Sequence, residues 1–425
     1  MLWRFADGPH PALRFATEPP DSAGLASCIG STYERKPGLV DGALTTLQRR
    51  QSLVAVSAAM AVTALIYGLS LPLLGLVMDA HGIDSLWIGM SAAVQSVGII
   101  LVAPFLPAHM SRLGPALLML GAILVSLVAF LLLPLFTSIA SWFVLRFAIG
   151  IAGGVLWICG DAWVNAVATE SIRGRVVAIY GVAVAGGFSL GPLVLSITGT
   201  EGAAPFLVSG AIMLLSALPL LPVIRISPSL HGEQAGGLFH YFALARLPML
   251  MGMLYAFSEG VLLTFLAIYG KEQGLTETRT LYLVAVLGIG GLLGQLPIGW
   301  LADHMNRLLL ASLNILFVAA AAAAIPVAIA LPSWSLILLA VLGASMTGIY
   351  TIGMVMIGEQ FKRADLAAAS ALYGLMFGAG SILGPLVGGV VMKTLPSHGM
   401  PLSIAAMYAL FLPLPVIALL RNRRR

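Results

Sequence analysis

Tyr180-Gly181-Val182-Ala183-Val184-Ala185-Gly186-Gly187-Phe188-Ser189-Leu190-Gly191-Pro192-Leu193-Val194 returns 193 residues later as Tyr373-Gly374-Leu375-Met376-Phe377-Gly378-Ala379-Gly380-Ser381-Ile382-Leu383-Gly384-Pro385-Leu386-Val387. Eight of the fifteen positions are identical. With the shift shortened by one residue, Gly68 falls on Gly260, Gly82 on Gly274, Gly98 on Gly290 and Ile123-Leu124 on Ile315-Leu316. Two sets of matches in the same order exceed coincidence, so nearly everything after residue 50 is a tandem duplication.

The repeated unit belongs in lipid. Hydrophobic residues make up 59% of the chain and charged residues 9%, against about 25% charged in soluble domains, and the mean hydropathy is +1.00. A spanning helix needs roughly 20 mostly apolar residues. Between Ser52 and Leu420 twelve such runs occur, at 52–77, 86–108, 114–136, 140–165, 176–198, 203–224, 247–270, 280–302, 308–331, 334–358, 367–392 and 400–420. The fold class expected is an all-α membrane protein of 12 transmembrane helices in two pseudo-symmetric six-helix bundles. The expected division is a cytoplasmic tail at 1–50, a first bundle at 51–225, a linker at 226–246 and a second bundle with a basic tail at 247–425. A membrane protein of two like halves is usually a carrier.

Lysine and arginine set the orientation, because cytoplasmic loops carry their excess. With the first run entering from inside, 18 of the 22 basic residues fall on that side. Lys271, Arg279 and Lys393 fall outside, and Arg146 lies within a run. Both termini are therefore expected in the cytoplasm of a multi-pass plasma membrane protein, and the net charge of +5 reads as topology rather than as a nucleic-acid signal. Pro9, Pro11, Pro19 and Pro20 mark the tail, which has no apolar core long enough for a secretory signal. Cys28 lies in the tail and Cys159 in the fourth run, which excludes a disulfide framework.

Three charges lie inside the apolar runs, where each costs roughly 2.5 to 3.5 kcal/mol unless paired or wetted. In the fourth run Arg146, Gly150, Gly153, Gly154, Trp157 and Asp161 share one helical stripe. Such a stripe fits a partner helix or a cavity, not lipid. Fifteen residues separate Arg146 from Asp161, about 22 Å along a helix, so the two need different partners. For Asp161 the readings are a latch to Arg112, Arg173 or Arg175, or a proton-binding group. Arg146 either lines a cavity or is a snorkelled structural charge. Glu259, with Tyr255 one turn before it, is either a proton carrier whose surroundings hold it near neutrality or a hydrogen-bonded core glutamate; its repeat mate is Tyr67.

Gln95, Gln295, Asn165 and Asn314 are read as interhelical hydrogen-bonding groups, and Trp157 and Tyr350 as packing rings or as stacking surfaces for a ligand. The histidines, at 10, 81, 109, 231, 240, 304 and 398, fall in tails, loops or helix ends. No metal cluster, phosphate-binding loop or histidine-paired nucleophile is visible, so neither cofactor nor enzyme activity is expected. The glycine pattern Gly187-x-x-x-Gly191-Pro192 and its copy Gly380-x-x-x-Gly384-Pro385 lets neighbouring backbones approach while proline bends the axis, a packing and hinge device.

After the eighth run stands Gly299-Trp300-Leu301-Ala302-Asp303-His304-Met305-Asn306-Arg307, which resembles a loop motif of the major facilitator superfamily. The first-half copy, Pro107 to Gly114, has Ser111 in place of the acid and Pro107 in place of the glycine. The resemblance implies a cytoplasmic latch through Gly299, Asp303 and Arg307, with Arg112 and Asp161 in the other half. Arg146-x-x-x-Gly150 is similar to the family's fourth-helix motif, tied there to proton-linked exchange. The Gly187 segment is similar to its antiporter motif but ends in Leu195-Ser196 where the family has two glycines. The first and seventh helices line the family's pathway, which implies that Tyr67 and Glu259 face substrate from opposite halves.

Glu259-Gly260 and the run Gly294-Gln295-Leu296-Pro297-Ile298-Gly299 resemble a group of bacterial facilitators near the sugar and drug exporters. The expectation is a monomeric secondary transporter that moves a small organic solute by alternating access, with proton-coupled efflux as the first reading. A facilitator or importer is the alternative within transport, and a non-transporting sensor on the same fold is the alternative outside it.

Overall fold

A computed structural model describes residues 44–136, 138–169, 172–228, 238–361, 364–396 and 398–423. Most of the expected tail and the middle of the expected linker lie outside the described residues. Twelve helices are long and apolar enough to cross a membrane: α1 Thr46–Ala80, α2 Ser85–Leu113, α3 Pro115–Leu135, α4 Ile139–Val167, α5 Arg175–Thr198, α6 Ala204–Ile226, α7 Arg246–Glu272, α8 Glu277–His304, α9 Arg307–Ala328, α10 Pro332–Gln360, α11 Ala368–Thr394 and α12 Gly399–Arg421. Among the described residues there is no strand. The all-α, twelve-span class expected from the sequence is what the chain adopts.

Local chemistry sets the ends. Asp84 caps α2, accepting from the amides of Leu86 at 3.0 Å and Trp87 at 3.2 Å, and Asn306 caps α9 in the same way through Leu308 and Leu309. Pro115 and Pro332 sit at the first positions of α3 and α10, where a missing N–H costs nothing. Helix α1 begins at Thr46, six residues before the apolar run. There the Thr45 side chain accepts from the Gln48 amide while the Gln48 side chain accepts from the Thr45 amide, a reciprocal cap that holds the polar turn at Arg49-Arg50 in the helix. Hydropathy alone passes over that turn.

The duplication reappears as packing. α1 lies on α5 as α7 lies on α11, α2 on α4 as α8 on α10, and α3 on α6 as α9 on α12. The correspondence reaches single atoms. A side chain at Gly187 would strike the Ala61 carbonyl, and one at Gly380 would strike the Met253 carbonyl, 192 residues on from Ala61. The turns after α1 and α7 use Gly82 at φ +73° and Gly274 at φ +83°, a left-handed conformation that glycine adopts without penalty.

Between the first six helices and the last six, α2 packs on α11, α5 on α8 and α1 on α7. Polar contacts concentrate at the face away from the start of α1 and the end of α12, called here the far face. Asp84 Oδ2 and Lys393 Nζ form an ion pair at 3.0 Å, Ser85 Oγ donates to the Gly389 carbonyl at 3.0 Å, and Thr200 Oγ1 donates to Glu277 Oε1 at 2.8 Å. At the near face, among the described residues, no comparable packing joins α4 to α10 or α11. The molecule is closed at the far face and parted at the near one.

The Asp84–Lys393 pair carries a pH signature. Its hydrogen bond to Lys393, then the capping amides, hold the Asp84 carboxyl below the usual carboxylate range. A depressed carboxylate contributes stability above its unfolded pKa of about 3.9 and loses it as pH falls through the folded value. Both partners are well exposed, at 51% and 42%, so the contribution is at most about 1 kcal/mol. Asp84→Asn, which keeps a capping oxygen, is expected to lower the thermal midpoint slightly at pH 7. Equal midpoints for variant and wild type at pH 7, or a gap that persists unchanged below pH 3.5, would contradict this.

Candidate functional site

On α7, Tyr255 and Glu259 stand one turn apart, which brings their side chains together: Tyr255 Oη donates to Glu259 Oε1 at 2.7 Å. Both are half-buried and face a cavity of about 110 Å³ between α5, α7, α8 and α10, whose wall also includes Phe188, Ser189, Gln295 and Thr347. Glycines make the room. Gly288 of α8 lies directly against the Ser189 hydroxyl, and Gly291 against that of Thr347. Tyr255 is the donor to Glu259, and among the described residues no cation pairs with it.

Beside Tyr255 stands a group of rings, of which Tyr350 and Phe377 are not in the wall of the cavity. Tyr255 lies 5.3 Å from Tyr350 and 5.9 Å from Phe377, and Tyr350 lies 6.1 Å from Phe377, centroid to centroid. Buried Tyr373 backs them, 5.1 Å from the Tyr350 ring, its hydroxyl donating to the Tyr350 carbonyl at 2.8 Å. All three inner rings are partly exposed.

The other expected pathway residues sit differently. Tyr67 is 5% exposed and donates to the Ile149 carbonyl at 2.8 Å, with its ring edge-on to Trp157 at 6.2 Å. Its hydroxyl fills the space that a side chain at Gly153 would need, which is why the α4 stripe is glycine there. Trp157 is partly exposed. Arg146 is 1% exposed; Nη1 donates to Ser91 Oγ at 3.0 Å and Nε to Gln95 Oε1 at 3.4 Å, while Nη2 is buried without a partner. Tyr67, Arg146 and Trp157 are not in the wall of the cavity. The guanidinium is wrapped by two neutral groups of α2, an arrangement that neither a water-lined charge nor a snorkelled one anticipates.

Asp161 is exposed and accepts from Tyr180 Oη of α5 at 2.6 Å; of the arginines expected as its latch, Arg112 and Arg175 are exposed and the Arg173 side chain lies outside the described residues. Arg112 and Asp303 are exposed. Arg307 Nη2 meets Glu359 Oε1 at 2.6 Å, joining the start of α9 to the end of α10 within the last six helices. Gly299 has open space where a side chain would sit. Gly191 abuts the Leu65 carbonyl and Gly384 the Phe257 carbonyl, with Pro192 and Pro385 following inside their helices. Because Arg307 and Glu359 are 30% and 53% exposed, Arg307→Ala is expected to cost at most about 1 kcal/mol. A thermal midpoint lowered by more than ten degrees would show the pair to be a structural keystone instead.

Phe377, Glu359, Ser91 and the Asp84–Lys393 pair were not singled out from the sequence. Phe377 occupies the position of Val184 in the repeat, so it is invisible as a match and visible only as a difference between halves.

A family model described as Major Facilitator Superfamily matches residues 56–350 and 248–425. An uncharacterized MFS-type transporter, YfkF of Bacillus subtilis (strain 168), is 29% identical over 343 residues, covering 78% of this chain and 86% of that protein. YcaD of Escherichia fergusonii, described in the same words, is 27% identical over 67% of this chain and 73% of its own length. In solved structures, a bacterial homolog of the human lysosomal transporter Spinster in an inward-facing, unoccupied conformation aligns at TM-score 0.71 and 14% identity, over 88% of this chain and 96% of that one. The nucleoside transporter NupG aligns at 0.70 and 15%, over 86% and 97%. At that identity the likeness is one of fold.

Proposed function

The chain belongs to the major facilitator superfamily of membrane transporters, and on that premise we propose that it exports a small organic solute in exchange for protons. In this reading it acts as a monomer in the plasma membrane of a bacterium, with both termini cytoplasmic, so the parted near face opens to the cytoplasm. The first and last six helices rock as two bundles about the cavity, the seams α2–α11 and α5–α8 closing one side while the other opens. Gly187, Gly191 and Pro192, with Gly380, Gly384 and Pro385, are the packing and bending points of that motion.

The observation that carries the proposal is Glu259: a carboxylate in the cavity wall, hydrogen-bonded to one phenol, without a cation partner among the described residues. A carboxylate so placed takes its compensating charge from outside the protein, and a proton is the simplest source. Among the described residues, Tyr255, Tyr350 and Tyr408 are other ionisable groups within its range. The test is collapse of an imposed inside-acid gradient in proteoliposomes when sugars, amino acids, organic anions or organic cations are added. Solute flux that runs without proton movement, equally fast with and without the gradient, would make the protein a facilitator and end the exchange reading.

A further inference from the structure

We infer that the cavity takes an uncharged guest built on a single ring with one hydroxyl, seated where the Tyr67 side chain lies in the other half of the molecule. The inference rests on the carrier reading and names the class of its cargo. Tyr67 is the repeat mate of Glu259, and the cavity-wall residues Met346, Leu292 and Ala185 have Gly153, Ile100 and Gly378 as theirs. In the mirror site, formed by α1, α2, α4 and α11, these places are filled. The Tyr67 hydroxyl occupies the position that a side chain at Gly153 would need, and Ile100 lies against Gly378. The phenol is 5% exposed and donates to the Ile149 carbonyl at 2.8 Å. On α7 the shorter Glu259 stands in its place, beside the cavity of about 110 Å³ between α5, α7, α8 and α10. The chain thus packs a phenol of its own into one of two equivalent places and keeps the other open.

Size and polarity follow from the wall. An engineered cavity of roughly 150 Å³ takes benzene, so a volume of about 110 Å³ sets one ring as the limit. Phe188, Leu263, Leu287, Leu292 and Met346 supply apolar faces for it. Tyr255 takes one oxygen of the Glu259 carboxylate at 2.7 Å, and a guest hydroxyl can donate to the other, since a carboxylate accepts at both. Ser189 donates its hydroxyl to the Ala185 carbonyl at 2.8 Å, and the remaining polar side chains of the wall are Gln295 and Thr347. A sugar of the same size would bury several hydroxyls against apolar side chains, where a single hydroxyl is fully met. The phenol in the mirror site is neutral, and so is the class inferred.

The test is calorimetry on purified full-length protein in lipid nanodiscs, with nanodiscs that hold no protein as the blank. p-Cresol, the free counterpart of the tyrosine side chain, is expected to bind saturably, and toluene, which lacks the hydroxyl, to bind about tenfold more weakly or less. Glucose, with its many hydroxyls, and benzylamine, with its charge, are expected to bind more weakly than p-cresol. The double variant Glu259→Tyr with Met346→Gly gives the second half the residues of the first. It is expected to fill the cavity with its own ring and to weaken p-cresol by about tenfold or more. Absence of saturable p-cresol binding overturns the inference. So does toluene, glucose or benzylamine binding as tightly as p-cresol, or p-cresol affinity unchanged in the folded double variant. The probe series is read on wild type, so no variant's folding decides it. p-Cresol binding while no solute, p-cresol included, moves protons supports this guest and ends proton exchange; solute-driven proton movement in a protein that does not bind p-cresol ends this guest and leaves exchange standing.

Discussion

Glu259→Gln is expected to reduce solute-dependent proton movement in proteoliposomes by at least about tenfold while the protein folds as before. Glutamine has the shape of glutamate and can still accept from Tyr255, so the hydrogen bond at 2.7 Å has a neutral equivalent. What it cannot do is gain and lose a proton. The separation of these two properties gives the experiment its force. If the variant has a wild-type midpoint and no proton movement, the carboxylate is the coupling group. If the variant moves protons as well as wild type does, Glu259 is a structural glutamate. Tyr255→Phe, which removes the donor but leaves the carboxylate, is expected to retain measurable proton movement. Loss in both variants alike would indicate damage to the cavity rather than to coupling.

The largest expected effect on stability is at Gly380→Val. Gly380 touches the Met253 carbonyl and the Ala256 side chain, so any Cβ requires α7 and α11 to separate. Backbone cannot rotate away as a side chain can, and overpacking of this kind costs about 1 to 3 kcal/mol or more. Gly187→Val, against the Ala61 carbonyl at the corresponding place, is expected to behave in the same way. Gly374→Ala is the control: nothing lies within 4 Å of its side-chain position, and alanine favours a helix over glycine by about 0.8 to 1 kcal/mol. Thermal midpoints and yields of monodisperse protein measure all three. Tolerance of valine at 380 together with intolerance of alanine at 374 would reverse the assignment of close contacts.

The fold was legible because its signals are long and redundant. Twelve apolar runs and a repeat over most of the chain determine span number and pairing, and a few polar residues at helix ends do not disturb them. The site was legible in part. Glu259 and Tyr255 stood out because a charge is conspicuous among apolar neighbours, and their spacing of four fixes their contact. Tyr67 and Arg146 were equally conspicuous, yet both turn toward neighbouring helices. Helical periodicity fixes which residues share a stripe but not the rotation of that stripe toward a cavity or a partner. Phe377 and Tyr350 reach Tyr255 only through the packing of three helices, and no local pattern encodes that meeting. Ion pairs such as Arg307–Glu359 and Asp84–Lys393 join residues 52 and 309 positions apart, where sequence supplies the charges but not the choice among them.

Small groups meet at several points of the seams where the two sixes touch: Gly89 against the Pro385 carbonyl, Ser96 against that of Ser381, Gly288 against Ser189, and Gly75 against the Thr264 carbonyl. Where such small groups face one another the helices can glide without a bulky side chain first being uprooted, while Ile100 against Gly378 seats a larger one in the α2–α11 seam. Because Gly288 and Ser189 also line the cavity, a change of the cargo chamber at that point retunes the bearing on which the molecule turns.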